Sequence, residues 1–256
     1  MTELLISVRS PAEAAIALAG GADLLDLKEP ADGALGRLPD AIIAATLAEV
    51  AGRRPVSATI GDVPLQPGPV REAAAQLAAL GVDIVKIGCF PGDAAATFAA
   101  LAPLADAGTK LVAVLFADAA PDFALIERCA DAQFFGVMLD TADKRSGPLP
   151  RHCDRNALAR FTAAARKHGL FVGLAGSLGL ADIPGLLPLA PDYLGFRSAA
   201  TADRRDGPLD AQKLARLRAA LQPIVASNKP TAAAGAQSAA ASATSLSAGT
   251  ISAKLR

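Results

Sequence analysis

Val70-Arg71-Glu72-Ala73-Ala74-Ala75-Gln76-Leu77-Ala78-Ala79-Leu80-Gly81-Val82-Asp83-Ile84-Val85-Lys86-Ile87 holds one complete folding unit. From Val70 to Leu80 the residues are Ala-rich and carry their apolar side chains at helical spacing. Gly81 follows, where a helix is best ended by a residue that takes left-handed backbone without a Cβ clash. Asp83 to Ile87 is then a short apolar run of strand length. The same unit recurs in both directions. Further strands are predicted at Leu4 to Val8, Asp23 to Lys28, Val56 to Ile60, Lys110 to Phe116, Phe135 to Asp140, Leu170 to Leu174 and Asp192 to Phe196. Helices are predicted at Pro11 to Ala19, Pro39 to Ala51, Asp93 to Ala107, Asp122 to Ala130, Arg155 to His168, Leu180 to Leu189 and Asp210 to Leu221. Gly20-Gly21, Gly108 and Gly169 end helices as Gly81 does.

Strands alternating with helices imply a parallel sheet covered by helices. Eight such units in 256 residues favour closure into a single α/β (β/α)8 TIM barrel. An open doubly wound sheet usually has fewer strands, and Ser10-Pro11 stands where its GxGxxG would begin. The barrel domain is expected over residues 1–222. From Ala226 to Lys254 the composition shifts to Ala, Ser, Thr and Gly, too poor in large apolar residues to offset its ordering entropy. Residues 223–256 therefore read as a low-complexity flexible tail; a transient helix is the competing reading, weakened by Gly235, Gly249 and the serines.

Composition removes several function classes. Lys+Arg and Asp+Glu both number 25, so the net charge is zero and no broad basic field exists for nucleic acid or an anionic membrane. Aromatic residues are 4%, with no Trp and a single Tyr, too few for base-stacking platforms. Cys89, Cys129 and Cys153 are odd in number and lack CxxC spacing, which fits reduced thiols. The first residues lack a cationic segment followed by a long apolar one, and charged residues or Pro interrupt every apolar run. A cytoplasmic protein with no membrane or nucleic-acid partner is expected. A homo-oligomer is compatible with the sequence, which does not fix the oligomeric state.

In a barrel the chemistry gathers at the C-terminal ends of the strands. In Asp23-Leu24-Leu25-Asp26-Leu27-Lys28 the period of two places Leu25 and Leu27 against the helices, so Asp26 and Lys28 point inward. Lys86 is inward by the same alternation, Asp140 ends the sixth strand, and Lys144 follows on its loop. Lysines crowded in a barrel mouth lose hydration and repel one another, which lowers their pKa toward the nucleophilic range. Lys28, Lys86, Asp26, Asp140 and Lys144 are therefore candidate catalytic residues of a Schiff-base site. The competing reading makes the lysines buried ion-pair partners of the two aspartates.

Gly173-Leu174-Ala175-Gly176-Ser177-Leu178-Gly179 follows the seventh strand and Gly195-Phe196-Arg197-Ser198 the eighth. Barrels commonly hold a phosphate there, on amides freed by glycine and on an arginine fork. Gly176, Ser177, Arg197 and Ser198 are the candidate phosphate ligands. His152 and Cys153 are adjacent in sequence and receive no role. No cluster has metal-ligand spacing, so no metal is proposed.

At these residues the chain resembles the (5-formylfuran-3-yl)methyl phosphate synthase family (4-HFC-P synthases) of methanofuran biosynthesis. The resemblance lies in Asp26-Leu27-Lys28-Glu29-Pro30 with Gly33-Ala34-Leu35-Gly36, and in Asp83-Ile84-Val85-Lys86-Ile87-Gly88. It continues through Asp140-Thr141-Ala142-Asp143-Lys144, Ala175-Gly176-Ser177-Leu178 and Gly195-Phe196-Arg197, in order, across Met1 to Leu221. It implies a TIM-barrel lyase that condenses two molecules of a triose phosphate, glyceraldehyde 3-phosphate, without a cofactor. It further implies Lys28 as the imine-forming residue and Lys86 as the proton-transfer residue, with Asp26, Asp140 and Lys144 in support. A Schiff-base aldolase of the deoxyribose-phosphate type and a non-catalytic phosphosugar-binding barrel are the rival readings.

Overall fold

A computed structural model describes residues 1–222; the expected tail lies outside the described residues. The strands are β1 (Glu3–Val8), β2 (Leu24–Leu27), β3 (Val56–Thr59), β4 (Ile84–Gly88), β5 (Lys110–Phe116), β6 (Gly136–Asp140), β7 (Phe171–Leu174) and β8 (Tyr193–Phe196). They close in chain order into an eight-stranded barrel in which neighbouring strands pair in parallel, with β8 returning to β1. The helices between and after them are α1 (Pro11–Ala19), α2 (Asp40–Val50), α3 (Pro67–Ala79), α4 (Ala94–Asp106), α5 (Leu125–Asp131), α6 (Arg155–Lys167), α7 (Ile183–Leu186) and α8 (Ala211–Leu221). The expected (β/α)8 barrel is the observed fold. Among the described residues no helix is long and apolar enough to cross a membrane.

One expected helix is broken. Leu180 to Leu189 is a 3-10 turn, the short α7 and a second 3-10 turn rather than one helix. Pro184 and Pro188 lack the amide a continuing helix needs, and Gly185 between them adds backbone entropy.

The apolar residues divide into two layers. Leu25, Leu27, Val85, Ile87, Val137 and Leu139 belong to the outer one, between strands and helices. A smaller inner cluster, including Leu5, Leu24, Ile84, Val112, Met138 and Tyr193, fills the barrel. The period-two alternation thus sends Leu24 and Ile84 inward, and with them the charged residues two positions further along each strand. At the N-terminal end, Asp23 accepts the amide of Leu4 at 3.0 Å, Asp83 that of Val56 at 2.8 Å and Asp192 that of Val172 at 2.6 Å. An aspartate just before an even strand therefore ties down the start of the preceding odd strand at three places around the barrel.

Tyr193 is the largest fully buried side chain and stacks on Phe171 with ring centroids 5.2 Å apart. Gly173 makes room for it, because a Cβ on Gly173 would lie 2.1 Å from Tyr193 Cζ. Gly173→Ala is expected to destabilise the barrel by about 1–3 kcal/mol through overpacking. A thermal melt should fall by several degrees; an unchanged midpoint would show that the ring is free to move aside.

Candidate active site

The inward positions of the strands assemble a charged cluster directly above Tyr193. Lys86, on β4, is 2% exposed, and its Nζ lies 2.8 Å from Asp26 Oδ1 and 5.6 Å from the centroid of the Tyr193 ring. The contact with Asp26 is an ion pair outside good hydrogen-bond angles, and the ammonium makes no hydrogen bond among the described residues. Asp26 is further held by Ser57 Oγ, which donates to Oδ1 at 2.6 Å, and by Ser7 Oγ, which donates to Oδ2 at 3.2 Å. Burial pushes the Asp26 carboxyl up, but Lys86 and Lys28 outweigh it and hold the pKa below its ordinary value.

Lys28 follows β2, is 7% exposed and has its Nζ 3.8 Å from Asp140 Oδ2. Asp140, at the end of β6, also takes the ammonium of Lys144 and the amide of Thr141, the latter at 2.7 Å. Lys144 donates in addition to the Thr141 carbonyl. Burial raises the Asp140 pKa, yet Lys144 and Lys28 more than offset it, leaving it at about 2. Lys28 goes the other way. Burial, then the nearby Lys144 charge, pull it down to about 7 against the partial relief from Asp140 and Asp26. A far larger share of it is neutral at pH 7 than the roughly one part in three thousand of an ordinary lysine. The five residues expected at the mouth are therefore brought together, and both lysine–aspartate ion pairs of the competing reading exist within the same cluster.

A depression of about 490 Å³, open to solvent, lies over these charges. β8 contributes Gly195 to its wall, and Leu35 closes another side. Leu35 is delivered by the loop after β2, whose Ala34 and Leu35 amides donate to the Asp62 carboxylate at 2.8 and 2.6 Å. Gly176, Ser177 and Ser198 line the same depression. Gly176 and Ser177 both have left-handed backbone, φ 101° and 49°. Their amides make no backbone hydrogen bond among the described residues, while Ser177 Oγ donates to the Lys144 carbonyl at 3.1 Å.

Arg197 departs from its expected use as a phosphate ligand. Its Nε donates to the Arg205 carbonyl at 2.8 Å and its Nη2 to the Gly207 carbonyl at 2.8 Å. Its Nη1 donates to the Ser7 carbonyl at 3.1 Å, and both Nη atoms bond the buried Glu13 carboxylate, Nη2 at 3.1 Å. A guanidinium has five N–H donors, and all have acceptors within the chain. Arg197 lines the depression but has no donor left to offer an anion.

Three participants were not legible in the sequence reading. Ser7 and Ser57 stand at inward positions, and the period-two alternation was the signal that could have found them. Arg205 lines the pocket from the loop after β8, where no periodicity marks it. His152 Nε2 lies 3.1 Å from Ser146 Oγ. Burial pushes the thiols of Cys89, Cys129 and Cys153 up, which leaves them poor nucleophiles.

Comparison with known proteins finds a match to the family model described as 4-HFC-P synthase over residues 4–218. The chain is 46% identical over 226 residues to a relative from Methylorubrum extorquens assigned to the same synthase, a match covering 84% of this chain and 92% of the relative. It is 34% identical over 232 residues to the (5-formylfuran-3-yl)methyl phosphate synthase of Methanopyrus kandleri, covering 85% of this chain and 98% of that protein. Among solved structures, phosphoribosyl anthranilate isomerase from Thermus thermophilus superposes with a TM-score of 0.63 at 17% identity, covering 86% of this chain and 98% of that one. That likeness concerns the barrel alone.

Removing one partner of a buried ion pair strands the other charge and typically costs about 3–5 kcal/mol. Arg197→Ala should accordingly lower the unfolding midpoint in urea, and the double variant Arg197→Met, Glu13→Met should recover much of the loss. An Arg197→Ala protein as stable as the parent would mean that the Glu13 contact holds nothing in place.

Proposed function

The chain belongs to the 4-HFC-P synthase family, and we propose that it condenses two glyceraldehyde 3-phosphate molecules into (5-formylfuran-3-yl)methyl phosphate, a step of methanofuran biosynthesis, with Lys28 as the imine-forming amine. The observation that carries this reading is the buried Lys28 amine at the floor of an open pocket, whose ion-pair partner Asp140 is shared with Lys144, so that burial and the Lys144 charge lower its pKa to about 7. A lysine with its pKa lowered in this way carries a substantial neutral fraction near neutral pH and can attack a carbonyl carbon.

The balance closes without a redox partner. Two triose phosphates less one phosphoric acid and two waters have the composition of the furan product. The neutral amine of Lys28 adds to the carbonyl of the first triose and water leaves, giving an imine. The imine acidifies the adjacent C–H, and loss of that proton expels the phosphate of the same triose to leave an unsaturated imine. C2 of the second triose, as its enediol, adds to the terminal carbon freed of phosphate; ring closure and loss of two waters follow, and water releases the formyl group from Lys28 and restores the amine. These later steps need groups that give and take protons. Lys86, fixed by Asp26, is the proton-transfer residue in this scheme. Asp140 holds Lys28 as its ion-pair partner, and Lys144, bound to the same carboxylate, disfavours the Lys28 charge. The Gly176 and Ser177 amides, with Ser198 beside them, receive a phosphate.

Incubation with glyceraldehyde 3-phosphate should yield furan absorbance and one inorganic phosphate for every two trioses used. Lys28→Arg is expected to abolish turnover in a folded protein, because guanidinium stays protonated and forms no imine. Borohydride added with substrate should attach a triose to the parent and not to this variant. Appreciable turnover by Lys28→Arg would remove Lys28 from the nucleophile role.

The pH dependence follows from the sign of the Lys28 shift. Its reactive form is the neutral one, so kcat/KM should climb as pH rises through about 7 and level off above it. An ordinary lysine would keep the profile climbing to about 10.5. A flat profile between pH 6 and 8 would contradict a depressed Lys28 as the group that must lose its proton.

A further inference from the structure

A condensation of two triose phosphates brings two phosphate esters to one mouth, and the Gly176–Ser177 loop accommodates one. The charges at the mouth are unbalanced in a way that bears on the other. Lys86, Lys144 and Arg205 line the pocket together with Lys28, itself only partly charged, and only Asp26 and Asp140 stand against them. Arg197 adds nothing to the surplus, because Glu13 neutralises it.

Arg205 differs from Arg197 in how its donors are used. Its Nη1 donates to the Pro30 carbonyl at 2.5 Å, and its Nε and Nη2 donate to no acceptor among the described residues. It lines both the catalytic pocket and an outer groove walled by Pro30, Asp62, Phe90, Lys144 and Arg145. Two carboxylates line the groove: Asp62 is already engaged with the Ala34 and Leu35 amides, and Asp143 lies 3.4 Å from Arg145 Nε. The loop that presents Arg205 is held before any ligand arrives. Besides the two bonds from Arg197, Ala202 N donates to the Pro208 carbonyl at 3.0 Å, and Lys213 Nζ donates to the Thr201 carbonyl at 2.7 Å. A guanidinium fixed in this way can grip an anion bidentately with little further ordering.

We propose that Arg205 is the ligand for a second phosphate ester, so that the outer groove holds the phosphate of the second triose while that of the imine-bound triose is held over the Gly176–Ser177 loop. This rests on the two-triose reading above. Burial disfavours the Arg205 charge, a tension that a bound anion relieves.

Glycerol 3-phosphate carries the ester but no carbonyl, so titrating it into the full chain reads binding without reaction. The parent is expected to take up two molecules per chain, and Arg205→Ala one, its second site weakened roughly ten- to a hundred-fold as expected for a lost charge-assisted contact. Arg205→Lys should keep a weakened second site. Arg205→Gln can still donate to the Pro30 carbonyl without a charge, and it should lose the site as Arg205→Ala does even if the alanine variant melts lower. A second site of parental strength in either uncharged variant, or one site or none in the parent, overturns the assignment. Furan formation from glyceraldehyde 3-phosphate is measured on the same samples. A parent that binds two esters and makes no furan would remove the condensation reading and leave the anion site standing.

Discussion

Burial of the Lys86 ammonium against the Asp26 carboxylate, inside a barrel closed by eight parallel strands, is the constraint to which the rest of the site answers. A charge taken out of water needs a partner, and stranding either member is costly. Ser7 and Ser57 use their hydroxyls to occupy both oxygens of Asp26, and the Tyr193 ring supplies a π face beneath Lys86. With Asp26 committed in this way, Lys28 has Asp140 for its direct ion-pair partner. Asp140 is at the same time shared with Lys144. Desolvation of Lys28 is therefore only partly compensated, and its depressed pKa follows from how the carboxylates are apportioned as much as from depth.

The rim is built on a second buried pair. Glu13 sits in the first turn of α1, and its bonds to Arg197 join the start of the helical layer to the end of the last strand. The remaining donors of Arg197 reach the carbonyls of Arg205 and Gly207 and shape the following loop. One arginine is thereby consumed in holding the loop that presents another. The loops after β2 and β6 are fixed by carboxylates in a comparable way: Asp62 binds two amides of the first, and Asp118 accepts those of Ala142 and Asp143 in the second, both at 2.8 Å.

The fold was legible because its signal is repeated: each strand–helix unit is a weak indication, and eight of them in order leave little choice. The inward charges were legible for a related reason. Period two fixes the face of Asp26 and Lys86 once Leu25, Leu27, Val85 and Ile87 are given to the helices. That the lysines could pair with the two aspartates was legible; which lysine meets which aspartate was not. Nothing in the alternation says that Lys86 pairs with Asp26, because cross-barrel proximity depends on strand tilt and stagger. Arg197 stood where an anion ligand belongs, yet its partner Glu13 is remote in sequence, so the competition for its donors could not be read from the chain. The broken segment at Leu180 to Leu189 was misread because its leucines keep helical spacing across Pro184 and Pro188, and the prolines decide.

The division of labour among the cations has a chemical consequence. A phosphate drawn directly onto Lys28 would favour the ammonium, since an opposite charge nearby raises the pKa of a lysine. That would undo the depression that makes the amine reactive. Amides at Gly176 and Ser177 and a guanidinium at Arg205 can hold anions without themselves changing protonation, so substrate charge can be bound away from the reacting nitrogen. Lys144 then acts twice. It neutralises Asp140, which would otherwise stabilise the Lys28 charge more strongly, and its own charge repels a proton from Lys28. Under the proposed condensation, a site that must both attract phosphate esters and keep one lysine neutral needs its fixed cations at the rim and its paired ones at the floor, and the barrel offers that separation through the inward residues of its strands and the loops that follow them.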